Sequence, residues 1–323
     1  VTSTPARAQD ARSAAAQDSQ HDRKVGTLAG AAAYSLWGLF PLVFHQLEEV
    51  QSTEILVHRI LWSLVVVGVI LVWRRDRAWF RTVRAKQGAL LRLVGASVLI
   101  AVNWLVYIWA VTNDEVVQAA LGYYVNPLIT VALGVVVLGE RLRRMQVVAL
   151  SFGAASVAVL TWSYGNVPWV ALVLACSFAG YGYLKKAADV EAVPSLAIET
   201  AVLAPAAAVW LVVLESNGDA AFLHGTGARD LLLVSLGIVT AVPLLLFGTA
   251  ATRIPLSLLG LLQYLTPTLQ LLCGVLILGE PLPPERFAGF VLVWIALIVL
   301  TWEGIASRRR ETALAVSAEG ASL

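Results

Sequence analysis

The chain has 323 residues, of which 59% are apolar and only 14% charged, and its mean hydropathy is +0.77. A water-soluble chain of this size would have too little polar material to cover its surface, so the solvent is lipid. The formal net charge of +2 excludes little by itself, because in a membrane protein the placement of basic residues carries the information.

Residues 1–24 are rich in Ala, Ser, Gln, Asp and Arg and lack an apolar core, which predicts a disordered cytoplasmic tail and not a cleaved signal. Ten apolar runs follow, at 26–46, 53–73, 89–112, 116–138, 145–162, 168–186, 194–214, 230–252, 256–278 and 286–306. Runs of about 20 residues suit a ~30 Å hydrocarbon core at about 1.5 Å per helical residue. An all-α membrane protein of ten transmembrane helices is expected, with residues 307–323 as a second cytoplasmic tail. Cys176 and Cys273 fall inside apolar runs and read as buried free thiols. His21, His45, His58 and His224 have no ligand spacing, so neither a metal nor any other cofactor is expected.

The link after the second run carries Arg74, Arg75, Arg77, Arg81, Arg84 and Lys86, and the next even-numbered links carry Arg141, Arg143, Arg144, Lys185 and Lys186. The odd-numbered links hold Arg229 and Arg286, while Glu48, Glu49, Asp114 and Glu115 collect there. By the positive-inside rule both termini are cytoplasmic, in agreement with Arg308, Arg309 and Arg310.

The chain also repeats itself. Gly134-Val135, Leu138-Gly139-Glu140 and Leu160-Thr161-Trp162 recur 140 residues later as Gly274-Val275, Leu278-Gly279-Glu280 and Leu300-Thr301-Trp302. Each copy belongs to five runs, 25–165 and 166–306, and an odd number of spans makes the second half enter the bilayer from the opposite side. Inverted repeats of this kind build alternating-access transporters. The turn agrees: Glu140-Arg141-Leu142-Arg143-Arg144 becomes Glu280-Pro281-Leu282-Pro283-Pro284 and sheds its positive charge. Glu140 and Glu280 both precede a new helix, where a carboxylate favours the positive N-terminal dipole.

Candidate cavity residues cluster in three runs. Pro127 and Pro267 occupy the same repeat position, and each removes the donor to the carbonyl four residues earlier, on Tyr123 and Gln263. Tyr124, Asn126, Tyr264 and Thr266 stand beside them, so the prolines either bare carbonyls toward a substrate or simply kink packed helices. Asn103 and Tyr107 share a helix face with Trp104 adjacent, a polar and aromatic wall that could equally be core packing. Gly38 and Gly182, next to Trp37 and Tyr181, read as close-packing positions.

Charges inside spans are few. Arg59 and Glu199 are repeat mates, and an ionised group there costs ~2.5–3.5 kcal/mol unless paired or hydrated. Inversion puts their backbones roughly 15 Å apart along the membrane normal, so each needs a local partner. Arg253 is the candidate for Glu199, and Asp114 and Glu115 are candidates for Arg59. These pairs would make charge-reversed gates; alternatively, Arg59 snorkels to headgroups and Arg253 only follows the positive-inside rule. Glu54 lies one turn from His58, which leaves His58 either held in place or open to proton coupling.

The segments His58-Arg-Ile-Leu-Trp-Ser63, Asn103-Trp104, Ile108-Trp-Ala-Val111, Leu121-Gly-Tyr-Tyr-Val-Asn-Pro-Leu128, Gly139-Glu-Arg-Leu-Arg-Arg-Met-Gln146, Ile198-Glu-Thr200, Thr240-Ala-Val-Pro-Leu-Leu-Leu-Phe247, Ala251-Thr-Arg253 and Leu262-Gln-Tyr-Leu-Thr-Pro-Thr-Leu269 resemble the RarD proteins. These belong to the EamA-type branch of the drug/metabolite transporter superfamily. The resemblance covers about residues 25–310 and implies ten helices in two inverted five-helix repeats around a central substrate cavity. It does not identify the transported molecule. The expected function is secondary transport of a small organic metabolite or drug-like molecule across a bacterial plasma membrane, by a monomer or dimer with no nucleic-acid partner. No P-loop is present. The rivals are a membrane-embedded lipid-linked transferase, which would need a catalytic cluster the sequence lacks, and a non-transporting helical scaffold.

Overall fold

The computed structural model describes residues 22–75, 78–138, 144–251, 253–254, 258 and 262–320, and every regular element among them is a helix. They are α1 (Asp22–His45), α2 (Ser52–Arg74), a short α3 (Trp79–Ala85), α4 (Ala89–Thr112), α5 (Val116–Leu138), α6 (Arg144–Tyr164), α7 (Trp169–Ala188), α8 (Ala192–Asn217), α9 (Gly227–Ala251), α10 (Leu265–Leu272) and α11 (Pro284–Gly320). Eight of these are long and apolar enough to cross a membrane; Trp169–Lys185 and Leu265–Ile277 are shorter apolar helices. Each of the ten expected runs therefore carries an apolar helix, two of them short.

Two breaks have local causes. The chain turns at Leu39 inside α1, where Pro41 has no N–H to offer the Trp37 carbonyl. Gln270 supplies a donor from α10, its Nε2 lying 3.4 Å from that oxygen. The second break corrects the expectation of two equivalent proline kinks. Pro127 sits inside the continuous helix α5. Pro267 falls in the first turn of α10, just after a turn at Gln263 and Tyr264, where backbone N–H groups have no intrahelical acceptor and a proline sacrifices nothing. The Gln263 carbonyl is not bare either, because it accepts the Thr266 N–H at 3.3 Å.

Beyond α10 a π-helical turn, Cys273–Ile277, leads into Gly279, whose φ of 74° suits a residue without a β-carbon. That reversal aims Glu280 away from its own helix. Its two oxygens accept the N–H groups of Val116 and Val117 at 2.6 and 2.8 Å, so the carboxylate caps α5 and not α11 as expected. Glu140 lies outside the described residues.

At the same end, the buried carboxylate of Glu54 accepts the N–H groups of Ala221 and Phe222 at 2.9 Å, and Gln118 Oε1 accepts that of Val170 at 3.0 Å. The links at this end, called the Glu54 end, are thus tied side chain to backbone. The opposite, Lys86 end is held by basic groups. Lys86 bridges to Asp189 at 2.7 Å and holds that exposed carboxyl below its usual range, while Arg92 donates to the Ala187 carbonyl at 2.8 Å.

Between the ends, α6 runs along α11, α4 and α5 along α7, and α2 between α8 and α9. The contacts are close: a β-carbon on Gly237 would lie 2.5 Å from the Trp62 carbonyl oxygen, and one on Gly122 would lie 2.8 Å from that of Ala171. Small residues admit such approach where lipid supplies no hydrophobic drive between helices. Gly38 also packs tightly, against Leu269, but Gly182 faces open space and serves no packing role. Cys273 is buried as expected, whereas Cys176 lies on the outside of α7.

Candidate functional site

Arg59 projects from α2 into the interior and is only 4% exposed. The Trp104 ring of α4 lies 4.1 Å from its guanidinium carbon, and the Phe40 and Phe44 rings of α1 lie at 5.5 and 5.7 Å. Its Nε donates to Thr240 Oγ1 of α9 at 3.1 Å, and its Nη1 has no hydrogen-bond partner among the described residues. Both sequence expectations for this residue are corrected. It does not snorkel, and neither Asp114 nor Glu115 pairs with it; Glu115 instead accepts the Gln118 side-chain amide at 3.0 Å. Aromatic faces cover the guanidinium, a cation–π environment that offsets part of the desolvation and leaves Nη1 unpaired among the described residues.

Next to Arg59 the expected polar and aromatic wall forms. Asn103 and Tyr107 are buried on one face of α4. The Asn103 amide donates to the Leu174 carbonyl and Ser177 Oγ, both at 3.0 Å, and its Oδ1 accepts the Tyr123 hydroxyl at 3.2 Å. Tyr107 meets Gln270 Nε2 at 3.1 Å, while Gln270 Oε1 has no partner among the described residues. The rings continue in both directions. Phe40, Phe44, Tyr107, Tyr123, Phe178 and Tyr181 succeed one another with centroids 5.8–6.0 Å apart, mostly edge to face.

Adjacent residues of the same motif go elsewhere. Tyr124 packs against Phe290 and Trp294 and hydrogen-bonds Thr268 Oγ1 at 2.7 Å, and Tyr264 joins the same cluster. The pair predicted beside the prolines is therefore a packing pair between α5, α10 and α11. Thr266 donates to the Tyr34 carbonyl at 2.8 Å, joining α10 to α1. Asn126 is buried, with its Oδ1 unpartnered among the described residues.

The far end of the aromatic series is Glu199. Its carboxylate, 1% exposed, accepts Ser195 Oγ at 2.6 Å and the Tyr181 hydroxyl at 3.1 Å, and pairs with Lys185 at 3.1 Å. The expected Glu199–Arg253 pair is absent. Arg253 lies 3.7 Å from Asp22 and donates to the Thr249 carbonyl, because α9 ends beside the start of α1. His58 accepts the Trp62 indole N–H on Nδ1 at 3.2 Å and stacks near Phe222 at 4.6 Å, while Glu54 stands 3.9 Å from its Nε2.

Sequence reasoning missed Thr240, Gln270, Ser195 and Lys185 as members of this set. Ser195 was findable, since it precedes the lone acid Glu199 by one helical turn. Lys185 follows Tyr181 by the same interval but was read only as part of a basic link. Thr240 and Gln270 carry no local signal; their meaning depends on which helices meet.

Residues 24–162 match the model of the EamA-like transporter family. The chain is 48% identical to protein RarD of Streptomyces exfoliatus over 91% of this chain and 93% of that protein. It belongs to the RarD family of EamA-like transporters. Protein RarD of Escherichia coli strain K12 is 39% identical, covering 88% of this chain and 96% of that one. A crystal structure of a protein 20% identical superposes with a TM-score of 0.57 over 85% of this RarD-family chain and 96% of its own, which supports the fold. Membership makes the chain a multi-pass membrane transporter, and the residues around Arg59 and Glu199 are its candidate passage.

Proposed function

We propose that this RarD-family chain carries a small organic molecule across the bacterial plasma membrane by alternating access, and that residues 25–165 and 166–306 form two inverted five-helix repeats with both termini cytoplasmic. The carrying observation is the aromatic series, buried at Phe40, Phe44 and Tyr107 and half-buried at Tyr123, Phe178 and Tyr181, that joins Arg59 to Glu199 through α1, α4, α5 and α7. A scaffold would have no use for two charges buried at the cost described above. The repeat reading is supported by the helices that meet: α2 packs on α8 and α6 on α11, each pair being corresponding spans of the two halves, as a twofold axis passing between them allows.

Within this reading the substrate cavity is lined by Asn103, Trp104, Tyr107 and Tyr123 together with Gln270, and the Glu199–Lys185–Tyr181 cluster closes its cytoplasmic side. Tyr124, Tyr264, Pro127 and Pro267 shape the helices around it. His58 and Glu54 hold the outer loop.

Purified protein reconstituted in proteoliposomes tests the function directly. Compounds that raise its unfolding temperature in a metabolite screen should exchange across the bilayer in counterflow with saturable kinetics. If bound compounds exchange no faster than in protein-free vesicles, transport is the wrong reading and a binding or scaffold role replaces it.

A further inference from the structure

Repeat mates at Arg59 and Glu199 are treated in opposite ways. Glu199 is satisfied three times over, by Lys185, Ser195 and Tyr181. Arg59 is as deeply buried, yet its only hydrogen bond shown goes to the neutral hydroxyl of Thr240, and its Nη1 faces no acceptor among the described residues. Rings cover the guanidinium, and rings leave its N–H edge free. A buried cation with a free N–H edge is an incomplete ion pair, because removing a charge from water is repaid only when a counter-charge and hydrogen bonds replace the water.

We propose that the missing partner is the substrate: Arg59 receives a carboxylate borne by the transported molecule, whose ring lies among Trp104, Phe44 and Tyr107. This rests on the transport reading above. The guanidinium fork matches a carboxylate in shape and charge. A single guanidinium neutralises one negative charge and not a dianion. The ring follows from the wall, since the half-buried Trp104 and Tyr123 adjoin the buried Tyr107, and Gln270, bonded to Tyr107, keeps Oε1 without a partner among the described residues. The substrate class is thus an aromatic monocarboxylate.

Matched probes test this on the full chain in detergent: benzoate, phenylacetate and indole-3-acetate, each with its neutral amide, and phenethylammonium as the cation. The carboxylates should raise the unfolding temperature and quench tryptophan fluorescence, and the amides and the amine should not. Arg59→Met should weaken carboxylate binding by at least about tenfold, and Arg59→Lys should retain part of it. Amides that bind as well as acids, carboxylate binding that survives in Arg59→Met, or no acid-selective response at all would overturn the proposal. A second measurement needs no ligand. If Arg59 waits for a substrate, Arg59→Met without ligand unfolds at or above the wild-type temperature, because an uncompensated charge has been replaced by an apolar chain of similar length. A clearly lower temperature assigns Arg59 to packing and ends the argument. Counterflow separates the two readings: acids that bind through Arg59 without exchanging leave the site and remove transport, whereas a neutral solute carried equally by Arg59→Met leaves transport and removes the site.

Discussion

Tyr123 and Tyr124 are neighbours in one motif with opposite surroundings, and they make the sharpest residue-level test of where the passage runs. Tyr123 hydrogen-bonds Asn103 and packs edge to face against Tyr107 and Phe178, whereas Tyr124 fills a niche against Phe290 and Trp294. Tyr123→Ala should depress counterflow at least about tenfold, a loss of roughly 1.4 kcal/mol of binding, at an unchanged amount of folded protein. Tyr124→Ala should instead lower stability by ~3 kcal/mol, as large aromatic deletions in packed cores do, and spare the rate per folded molecule. Matched flux and size-exclusion recovery on both variants separate these outcomes; the reverse pattern would move the passage to the α5–α11 side. Glu199 gives a second test. Its ion partner is Lys185, so exchanging the two, Lys185→Glu with Glu199→Lys, should recover flux above either single variant. Glu199→Arg with Arg253→Glu should recover none, because Arg253 sits against Asp22. A double-mutant cycle reads the coupling in each case.

Helices and their ends were legible to different degrees. Apolar run length predicted an apolar helix in each of the ten places, since length and hydropathy are properties of one segment. The prolines show what one segment cannot reveal: Pro127 and Pro267 occupy the same repeat position, yet the first lies in the middle of a helix and the second in the first turn of one. Whether the chain turns before Pro267 depends on α10 meeting α1, through Gly38 against Leu269 and Thr266 on the Tyr34 carbonyl. Glu280 teaches the same lesson. Its sequence position says that it starts a helix, and the structure gives it to a different one, 163 and 164 residues away. Removing it strands two N–H groups of α5. Glu280→Ala should therefore cost roughly 2–4 kcal/mol, from about 1–3 kcal/mol per unsatisfied buried group with some relaxation, seen as a lower unfolding temperature in detergent. Glu280→Gln keeps one acceptor and should lose about half as much. Equal stability of all three proteins would mean that water satisfies α5 at that end.

The whole molecule was readable as a helical bundle apolar enough to sit in lipid because hydropathy survives in the linear order of residues. The partners of Arg59 were not, because it finds them on helices whose adjacency no local pattern encodes, whereas Glu199 has Ser195 one turn away on its own helix. Trp104 and Thr240 meet Arg59 only after α4 and α9 have both packed around α2. Orientation in the bilayer belongs to this scale, and it rests on the basic residues of the even-numbered links and on the loss of those charges in the second copy of the turn. Arg144 and Pro284 are repeat mates at corresponding helix starts, Arg144 beginning α6 and Pro284 beginning α11, and both are exposed. In a background with Cys176→Ser and Cys273→Ala, a cysteine at each position should react with a membrane-impermeant maleimide from opposite sides of the membrane. Arg144→Cys should label only after cells are opened, and Pro284→Cys should label in intact cells after mild permeabilisation of any outer layer. Retained counterflow in both variants shows that the labelled proteins are folded. Labelling of both from one face would leave the halves parallel, and a parallel pair could not exchange inward-facing and outward-facing roles by the symmetry proposed here.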